Sequence, residues 1–320
     1  MRVVTIIMLV ASSLLAVGQR DNRLPINRQP IIDVHKHASR WGADDASARK
    51  ALMAEMDAEN IVLSLLHINE PGDVEGWLQA APGRFIGGPR MPCPGSHPDK
   101  AGIGCFPETN GWPDLTWLER ELAAGHIGEL GEMGFNYSGT HPDDKRMSPY
   151  WALAAKYDVP VAVHISRGPP PGVGPRRDPK CCPAFNGEMG NPALLRSVLK
   201  RHPRLRILLQ HAGAGGSPGN ESFDNETFAL LADYATVYFD MSIVNDGPAD
   251  VHEAKLRRFL DAGFGDRIMF GSDTRPAGPI LRRIENIGWL TASQRRAMLY
   301  DNAARFLRLD DQTIARHHGR

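Results

Sequence analysis

The chain has 320 residues, of which 42% are hydrophobic and 23% charged, a composition typical of an ordinary globular protein. These values argue against a disordered chain, a collagen-like chain and a protein with many membrane spans. Lys plus Arg and Asp plus Glu each number 37, so the net charge is zero and there is no basic excess to bind a phosphate backbone. The charge balance therefore predicts no nucleic-acid partner.

The first 18 residues have the pattern of a cleavable signal peptide. Arg2 precedes an apolar run from Val3 to Val17, and Gln19 follows it. A helix over this run reaches about 22 Å, short of the roughly 30 Å hydrocarbon core, which favours cleavage over a membrane anchor or a buried helix. We therefore predict an exported protein, periplasmic or secreted, that keeps no membrane contact after cleavage, with residues 19–29 as a linker.

The four cysteines are interpretable if the chain is exported, because an oxidising compartment permits disulfides. Cys93 and Cys105 enclose a short segment rich in Pro and Gly, and we predict that they form a disulfide that closes it. Cys181 and Cys182 are adjacent, which strains a direct bridge, so their pairing with the other two cysteines stays open. Metal binding by these cysteines is the weaker alternative, because the sequence has no CxxC spacing.

Short apolar runs alternate with amphipathic segments along the chain. The predicted strands cover residues 30–38, 61–68, 84–91, 126–133, 159–166, 205–213, 236–243 and 266–273. The predicted helices cover residues 45–60, 115–125, 150–158, 191–202, 226–235, 249–263 and 291–309. This alternation predicts a single-domain α/β fold, a (β/α)8 barrel over residues 30–310, followed by a polar tail over 311–320. A doubly wound open sheet is the alternative.

Polar side chains recur at the carboxyl ends of these apolar strands, where a barrel places its active site. They are Asp33, His35, His37, Glu129, Glu132, His164, His211, Asp240 and Asp273. Two long loops, residues 92–114 and 167–190, also leave strand ends, and we expect them to wall the pocket. In a closed barrel all these strand ends converge, so the sequence predicts one polar pocket.

A pair of histidines on the first strand indicates a metal site. His35 and His37 are two residues apart, so on an extended strand both imidazoles point to the same side. Together with His164 and Asp273 at other strand ends, they form a set of nitrogen and oxygen donors suited to a divalent cation. His67, at the end of the second strand, is left between pocket lining and no role.

These motifs resemble the amidohydrolase superfamily, in particular its amidohydrolase-related branch of aminocarboxymuconate-semialdehyde decarboxylase-like, metal-dependent enzymes. The resemblance is carried by IIDVHKH at 31–37, GEMGFNYSG at 131–139, the segment 142–166, NPALLRSVLKRHPRLRILLQHAG at 191–213 and the segment 266–309. It covers essentially the whole chain after the signal peptide. The resemblance implies a distorted (β/α)8 barrel with a divalent metal, most often zinc, at its carboxyl mouth.

The resemblance also assigns roles to single residues. It implies that His35, His37, His164 and Asp273 bind one metal per chain, and that His211 and Asp273 are catalytic. On a regular strand two residues three apart cannot both face inward, so Glu132 is favoured over Glu129 as the third catalytic residue. In two-metal relatives a fourth-strand carboxylate bridges the ions, so a second metal is left open.

The implied activity is hydrolysis of an amide, lactone or ester bond of a small organic substrate by a metal-activated water. Asp273 would accept the proton of the water and deliver it to the leaving group, while His211 polarises the substrate carbonyl. The alternative is a metal-dependent decarboxylase acting on an unsaturated or aromatic carboxylic acid, because both reactions need the same ligands. A noncatalytic metal-binding or ligand-binding barrel is a third reading.

Further residues have candidate roles around this site. Arg167, Arg176 and Arg177 are candidates for binding a substrate carboxylate, with a solvated surface arginine as the alternative for each. Asp240 is a candidate for orienting a ligand histidine, or else for capping a loop. Besides the small-molecule substrate, the resemblance allows a homodimer as a partner.

Overall fold

A computed structural model of the chain describes residues 29–37, 45–93, 104–168, 178–180, 182–211, 221–242 and 248–319. The strands are β1 Ile31–Lys36, β2 Ile61–Ile68, β3 Phe85–Pro89, β4 Leu130–Met133, β5 Val161–His164, β6 Ile207–Gln210, β7 Val237–Asp240 and β8 Ile268–Met269. The signal peptide predicted over residues 1–18, nearly all of the predicted linker, Arg176, Arg177 and Cys181 lie outside the described residues.

Helices separate successive strands. They are α1 Ala46–Glu59, α2 Pro71–Ala80, α3 Leu115–Ala124, α4 Phe135–Ser138, α5 Ser148–Tyr157, α6 Arg196–Arg201, α7 Glu221–Asp233, α8 Ala249–Asp261, α9 Ala277–Glu285, α10 Ala292–Arg296, α11 Asn302–Leu307 and α12 Asp311–His317. A π-helical turn over Ala297–Asp301 joins α10 to α11. The segment predicted as a polar tail contains α12, which is capped by the Asp310 side chain.

The eight strands are parallel and follow chain order, as in a (β/α)8 barrel. They form one arc of β1, β2 and β3 and a second arc of β4 to β8. Single bridges, Gly87 with Ile127 and Lys36 with Asp273, join the arcs. The predicted distorted barrel is therefore confirmed, and the doubly wound alternative, which requires a reversal of strand order, is wrong.

The barrel interior is apolar towards the amino ends of the strands. Leu65 and Leu208 pack there with neighbouring inward-facing side chains, and Tyr300 and Phe306 from the C-terminal helical segment join the same cluster. Phe306 is 1% exposed, so its replacement by alanine would cost about 3–5 kcal/mol of stability. Polar side chains are thereby concentrated at the opposite, carboxyl ends of the strands.

Buried hydrogen bonds join the first strand to the last. The carboxylate of Asp33 accepts bonds from the Ser272 hydroxyl at 2.6 Å and the Ser272 amide at 3.1 Å, across a separation of 239 residues. It also accepts a bond from the His35 amide at 3.1 Å. These bonds form a seam between β1 and the segment after β8. The seam fixes the positions of His35 and Asp273 relative to each other.

The predicted disulfide between Cys93 and Cys105 is present, with 5.8 Å between the two Cα atoms. The two cysteines pair with each other, so the alternative in which they pair with Cys181 and Cys182 is not realised; Cys182 is also disulfide-bonded. The loop that the bridge closes follows β3, and the Met91 amide there donates to the Glu132 carbonyl at 3.1 Å. Within the described ranges, no helix has the length and apolar character needed to cross a bilayer.

Candidate metal centre

Six side chains from five strands and their carboxyl ends converge at the mouth of the barrel. They are His35, His37, Glu132, His164, His211 and Asp273. All the metal ligands and catalytic residues that the sequence predicts are therefore brought to one place. His211 and Asp273 have φ angles of 68° and 56°, an uncommon conformation for residues with a side chain that clusters at functional sites.

A first group of ligand atoms lies around Asp273. Its Oδ1 is 3.5 Å from His35 Nε2 and 3.4 Å from His37 Nε2, and Glu132 Oε2 is also 3.4 Å from His37 Nε2. Ligand atoms each about 2.1 Å from a tetrahedral ion lie about 3.4 Å apart, so this spacing suits a divalent cation. His35 Nε2 is buried and has no hydrogen-bond partner among the described residues, which also fits a metal ligand.

A second group lies on the other side of Glu132. Its Oε1 is 2.5 Å from His164 Nδ1 and 3.5 Å from His211 Nε2, and the two ring nitrogens are 3.1 Å apart. The structure thus places His164 with Glu132 and His211 instead of with the pair from β1. Glu132 offers one oxygen to each group, so its carboxylate is placed to be shared by two cations.

Glu129 and Glu132 both face the barrel interior, so the prediction that only one of them does is wrong. The backbone between them is not a regular strand, because the pairing of β4 with β5 shifts between Leu130 and Met133. Gly131 has a φ of 150°, and a Cβ there would lie 2.7 Å from Ala162. The Glu132 oxygens lie within 3.5 Å of three histidines and 4.0 Å from His35, whereas Glu129 lies 4.0 Å from His67.

Two residues at the end of β7 hold the histidines in orientation. Asp240 Oδ2 is 3.1 Å from His35 Nδ1, and the Ser242 hydroxyl is 2.7 Å from His211 Nδ1. Asp240 Oδ1 accepts bonds from the amides of His211 and Ser242 at 3.1 and 2.9 Å. Because each Nδ1 is engaged, each Nε2 faces the ligand groups, as in metal sites whose histidines are held by a carboxylate.

Tyr137 orients His164 in the same way. Its hydroxyl lies 3.1 Å from His164 Nε2, which leaves Nδ1 to face Glu132. Sequence reasoning missed both Tyr137 and Ser242 as site residues. The signals were present, because Tyr137 lies inside the GEMGFNYSG motif and Ser242 follows Asp240 by two residues.

The electrostatics keep the clustered carboxyls ionised. Burial raises the pKa of Glu132, but the charge of His164 and bonds from three histidines outweigh it and hold the pKa well below its usual range. Burial likewise raises the pKa of Asp240, and the charge and hydrogen bond of His35 bring it down to about 2. Burial also raises the pKa of Asp273, but the charge of His35 outweighs this effect and the pKa is lowered. Anionic oxygens are the form that binds a cation.

The cluster opens to solvent on one side. The Asp273 side chain is 18% exposed and that of His37 11%, whereas His35 is fully buried. Burial lowers the pKa of His37, and the positive charge of Arg90 lowers it further. Arg90 directly follows β3 and is itself buried. Arg167 is partly buried, and its guanidinium contacts Glu188 at 3.4 Å and the ring of Phe223.

Comparisons with known proteins place this fold and site in a family. The family model described as Amidohydrolase matches residues 32–309. The chain belongs to the amidohydrolase family. The predicted resemblance is therefore confirmed, and this amidohydrolase is a metal-dependent enzyme by its family and by the donor groups at its barrel mouth. No curated protein matches the chain.

Several solved structures share the fold of this amidohydrolase at low sequence identity. An uncharacterised TIM-barrel protein of Bordetella bronchiseptica has 17% identity and a TM-score of 0.57, and the match covers 91% of this chain and 100% of that one. A probable 2-pyrone-4,6-dicarboxylic acid hydrolase of Acinetobacter baumannii has 12% identity, a TM-score of 0.60 and coverages of 88% and 100%. A 5-carboxyvanillate decarboxylase of Novosphingobium aromaticivorans, complexed with manganese, has 14% identity and a TM-score of 0.57, and the match covers 88% of this chain and 96% of that one.

Proposed function

We propose that this amidohydrolase is a zinc-dependent hydrolase that cleaves an amide, lactone or ester bond of a small organic molecule. The observation that carries the proposal is the pair of donor groups that share the Glu132 carboxylate. Four imidazoles and two carboxylates form a mixed nitrogen and oxygen set of the kind zinc prefers, and manganese also accepts it. His35, His37 and Asp273 would hold the first cation, and His164 and His211 the second.

Such a cation supplies Lewis acidity and lowers the pKa of water at the site to about 7. Asp273 lies on the open side of the cluster and is ionised, so its carboxylate can take the proton of the attacking water. The Asp273 carboxyl group then delivers this proton to the leaving nitrogen or oxygen of the substrate. Glu132, buried among four histidines, keeps the donor groups in place and would offset the positive charge of the bound cations.

His211 could be a metal ligand or a hydrogen-bond donor to the substrate, and the number of metal ions bound per chain distinguishes the two roles. Its Nδ1 is held by Ser242, so Nε2 is directed at Glu132 and His164. With both donor groups loaded, Nε2 is a ligand; with the first alone, Nε2 is available to donate a hydrogen bond to the substrate carbonyl oxygen. We assign the ligand role, because the His211 side chain is only 1% exposed.

The second candidate is a metal-dependent decarboxylase of an unsaturated or aromatic carboxylic acid. The observation in its favour is that the 5-carboxyvanillate decarboxylase matches this fold about as well as the hydrolase does. The test is to load the protein with zinc or manganese and offer lactones, esters, amides and aromatic carboxylic acids. Acid release abolished by chelation supports hydrolysis, whereas carbon dioxide release abolished by chelation moves the assignment to the decarboxylase.

The folded catalytic unit acts, in this proposal, outside the cytoplasm, in the periplasm or as a secreted protein. The apolar run that begins at Val3 and the Cys93–Cys105 bridge support export. N-terminal sequencing of the protein from cell fractions tests it: a start near Gln19 in an extracytoplasmic fraction is expected, and an intact Met1 in the cytoplasm would refute it. We also propose that the protein forms a homodimer. Light scattering tests this proposal, because a dimer has twice the chain mass of 35.2 kDa.

A further inference from the structure

A histidine and a glutamate beside the metal centre have no part in the proposed mechanism. His67 on β2 and Glu129 just before β4 are fully buried, and His67 Nδ1 lies 4.0 Å from Glu129 Oε2. Neither oxygen of Glu129 has a hydrogen-bond partner in the part of the chain that the structure describes. Unpartnered polar atoms in a protein interior are rare, and a buried carboxylate needs a compensating charge or proton.

The surroundings present donor atoms to the space between the two side chains. Gly88 has no Cβ, and one built there would lie 2.8 Å from Glu129 Oε2 and 3.0 Å from the Gly131 carbonyl oxygen. Both oxygens therefore border the same region beside Gly88. The Gly131 carbonyl oxygen also accepts a hydrogen bond from the His67 ring, so an imidazole nitrogen, a carboxylate and a carbonyl oxygen converge there.

The other ring nitrogen of His67, Nε2, faces the side-chain amide of Gln210. His67 Nε2 lies 2.7 Å from the Gln210 amide nitrogen, and the Gln210 Oε1 atom has no partner within the described residues. When Nδ1 binds a cation, Nε2 carries the proton and needs an acceptor. A rotation of the Gln210 amide by 180° supplies that acceptor and satisfies Oε1 at the same time.

We propose that His67 and Glu129, with the Gly131 carbonyl oxygen, bind a further divalent cation, separate from the centre at Glu132 and additional to the proposed function. The mixed nitrogen and oxygen donors suit zinc or manganese. The His67 ring lies beside those of His35 and His37, with centroids 5.2 and 5.0 Å apart, so the extra cation would sit next to the catalytic ones. Its charge compensates the Glu129 carboxylate.

Metal counting on the full chain tests this proposal. The wild type, Glu129→Gln and His67→Gln are stripped with chelator, dialysed against zinc and measured for zinc per chain. We expect each variant to bind about one zinc fewer than the wild type. His164→Ala, which removes a ligand of the centre at Glu132, should keep the extra zinc, and Glu119→Gln, at an exposed glutamate, should match the wild type.

The outcomes separate this proposal from the proposed function. Zinc content equal to the wild type in folded Glu129→Gln and His67→Gln overturns the extra site and leaves the centre at Glu132 untouched. If His164→Ala is the only variant that loses zinc, the extra site is likewise overturned and the centre at Glu132 stands. If the variants fail to fold, anomalous diffraction from zinc-loaded wild-type crystals decides: a peak between His67 and Glu129 supports the site, and its absence overturns it.

Discussion

Replacement of Asp240 by asparagine isolates the orientation of a ligand histidine from the stability of the fold. The Oδ1 atom of Asp240 accepts two backbone amides, and an asparagine oxygen can keep both bonds. The amide nitrogen then faces His35 Nδ1, where the carboxylate oxygen stood at 3.1 Å. Because that group donates, Nδ1 must accept and the proton moves to Nε2, the atom that faces Asp273.

The expected effect is a weaker metal site in a folded protein. Loss of such a supporting carboxylate typically lowers metal affinity by roughly 10–100-fold, which corresponds to about 1.4–2.7 kcal/mol. Asp240→Ala would instead leave the two buried amides without an acceptor, at about 1–3 kcal/mol each, and would confound affinity with folding. Asp240→Asn is therefore the sharper variant.

The assay is competition for zinc with a chelating dye, alongside thermal unfolding of the metal-free protein. Asp233→Asn is the matched control, because Asp233 is an exposed carboxylate that pairs with Arg196 away from the site. Wild-type zinc affinity in folded Asp240→Asn would refute the role of Asp240 in orienting His35. A lowered melting temperature without an affinity change would reduce Asp240 to a purely structural residue.

Three other predictions follow from the site and the loop beside it. His37→Ala and His211→Ala should each lose about one zinc per chain by elemental analysis; full zinc content with lost turnover in His211→Ala would assign His211 to the substrate instead. Burial raises the pKa of Glu129 well above its usual 4.5, so the metal-free wild type should lose stability as pH rises above that value. The slope reaches at most about 1.4 kcal/mol per pH unit, and denaturant titrations of Glu129→Gln should lack this component. Replacing Cys93 and Cys105 by serine should lower the unfolding free energy by about 3 kcal/mol, measured under non-reducing conditions, and an unchanged value would show that the loop needs no bridge.

The sequence predicts the barrel well because its strands are short apolar runs that end in polar residues. Each of the eight predicted strands overlaps an observed one, and His35 and His37 share a face as their spacing requires. Four helices, α2, α4, α9 and α12, lie outside the predicted helical segments. α2 begins at Pro71 and contains two glycines, which read as a loop, although Glu70 and Asp73 form a capping box at its start.

The arrangement within the site depends on contacts that local patterns do not contain. Asp240 meets His35 across 205 residues of chain, so spacing could suggest its role but not its partner. The inward direction of Glu129 arises from a register shift in β4 that a regular strand model excludes. The position of Glu132, with one oxygen near His37 and the other near His164, likewise follows from the closed barrel and not from any motif.

The seam between β1 and β8 has a consequence for how the chain acquires metal. The residues that it joins, Asp33 and Ser272, are separated by 239 positions, so the first donor group cannot assemble until nearly the whole chain has been synthesised. A partly made or unfolded chain holds these ligands apart and binds metal weakly. The first donor group can therefore take up a cation only after the last strand has closed against the first.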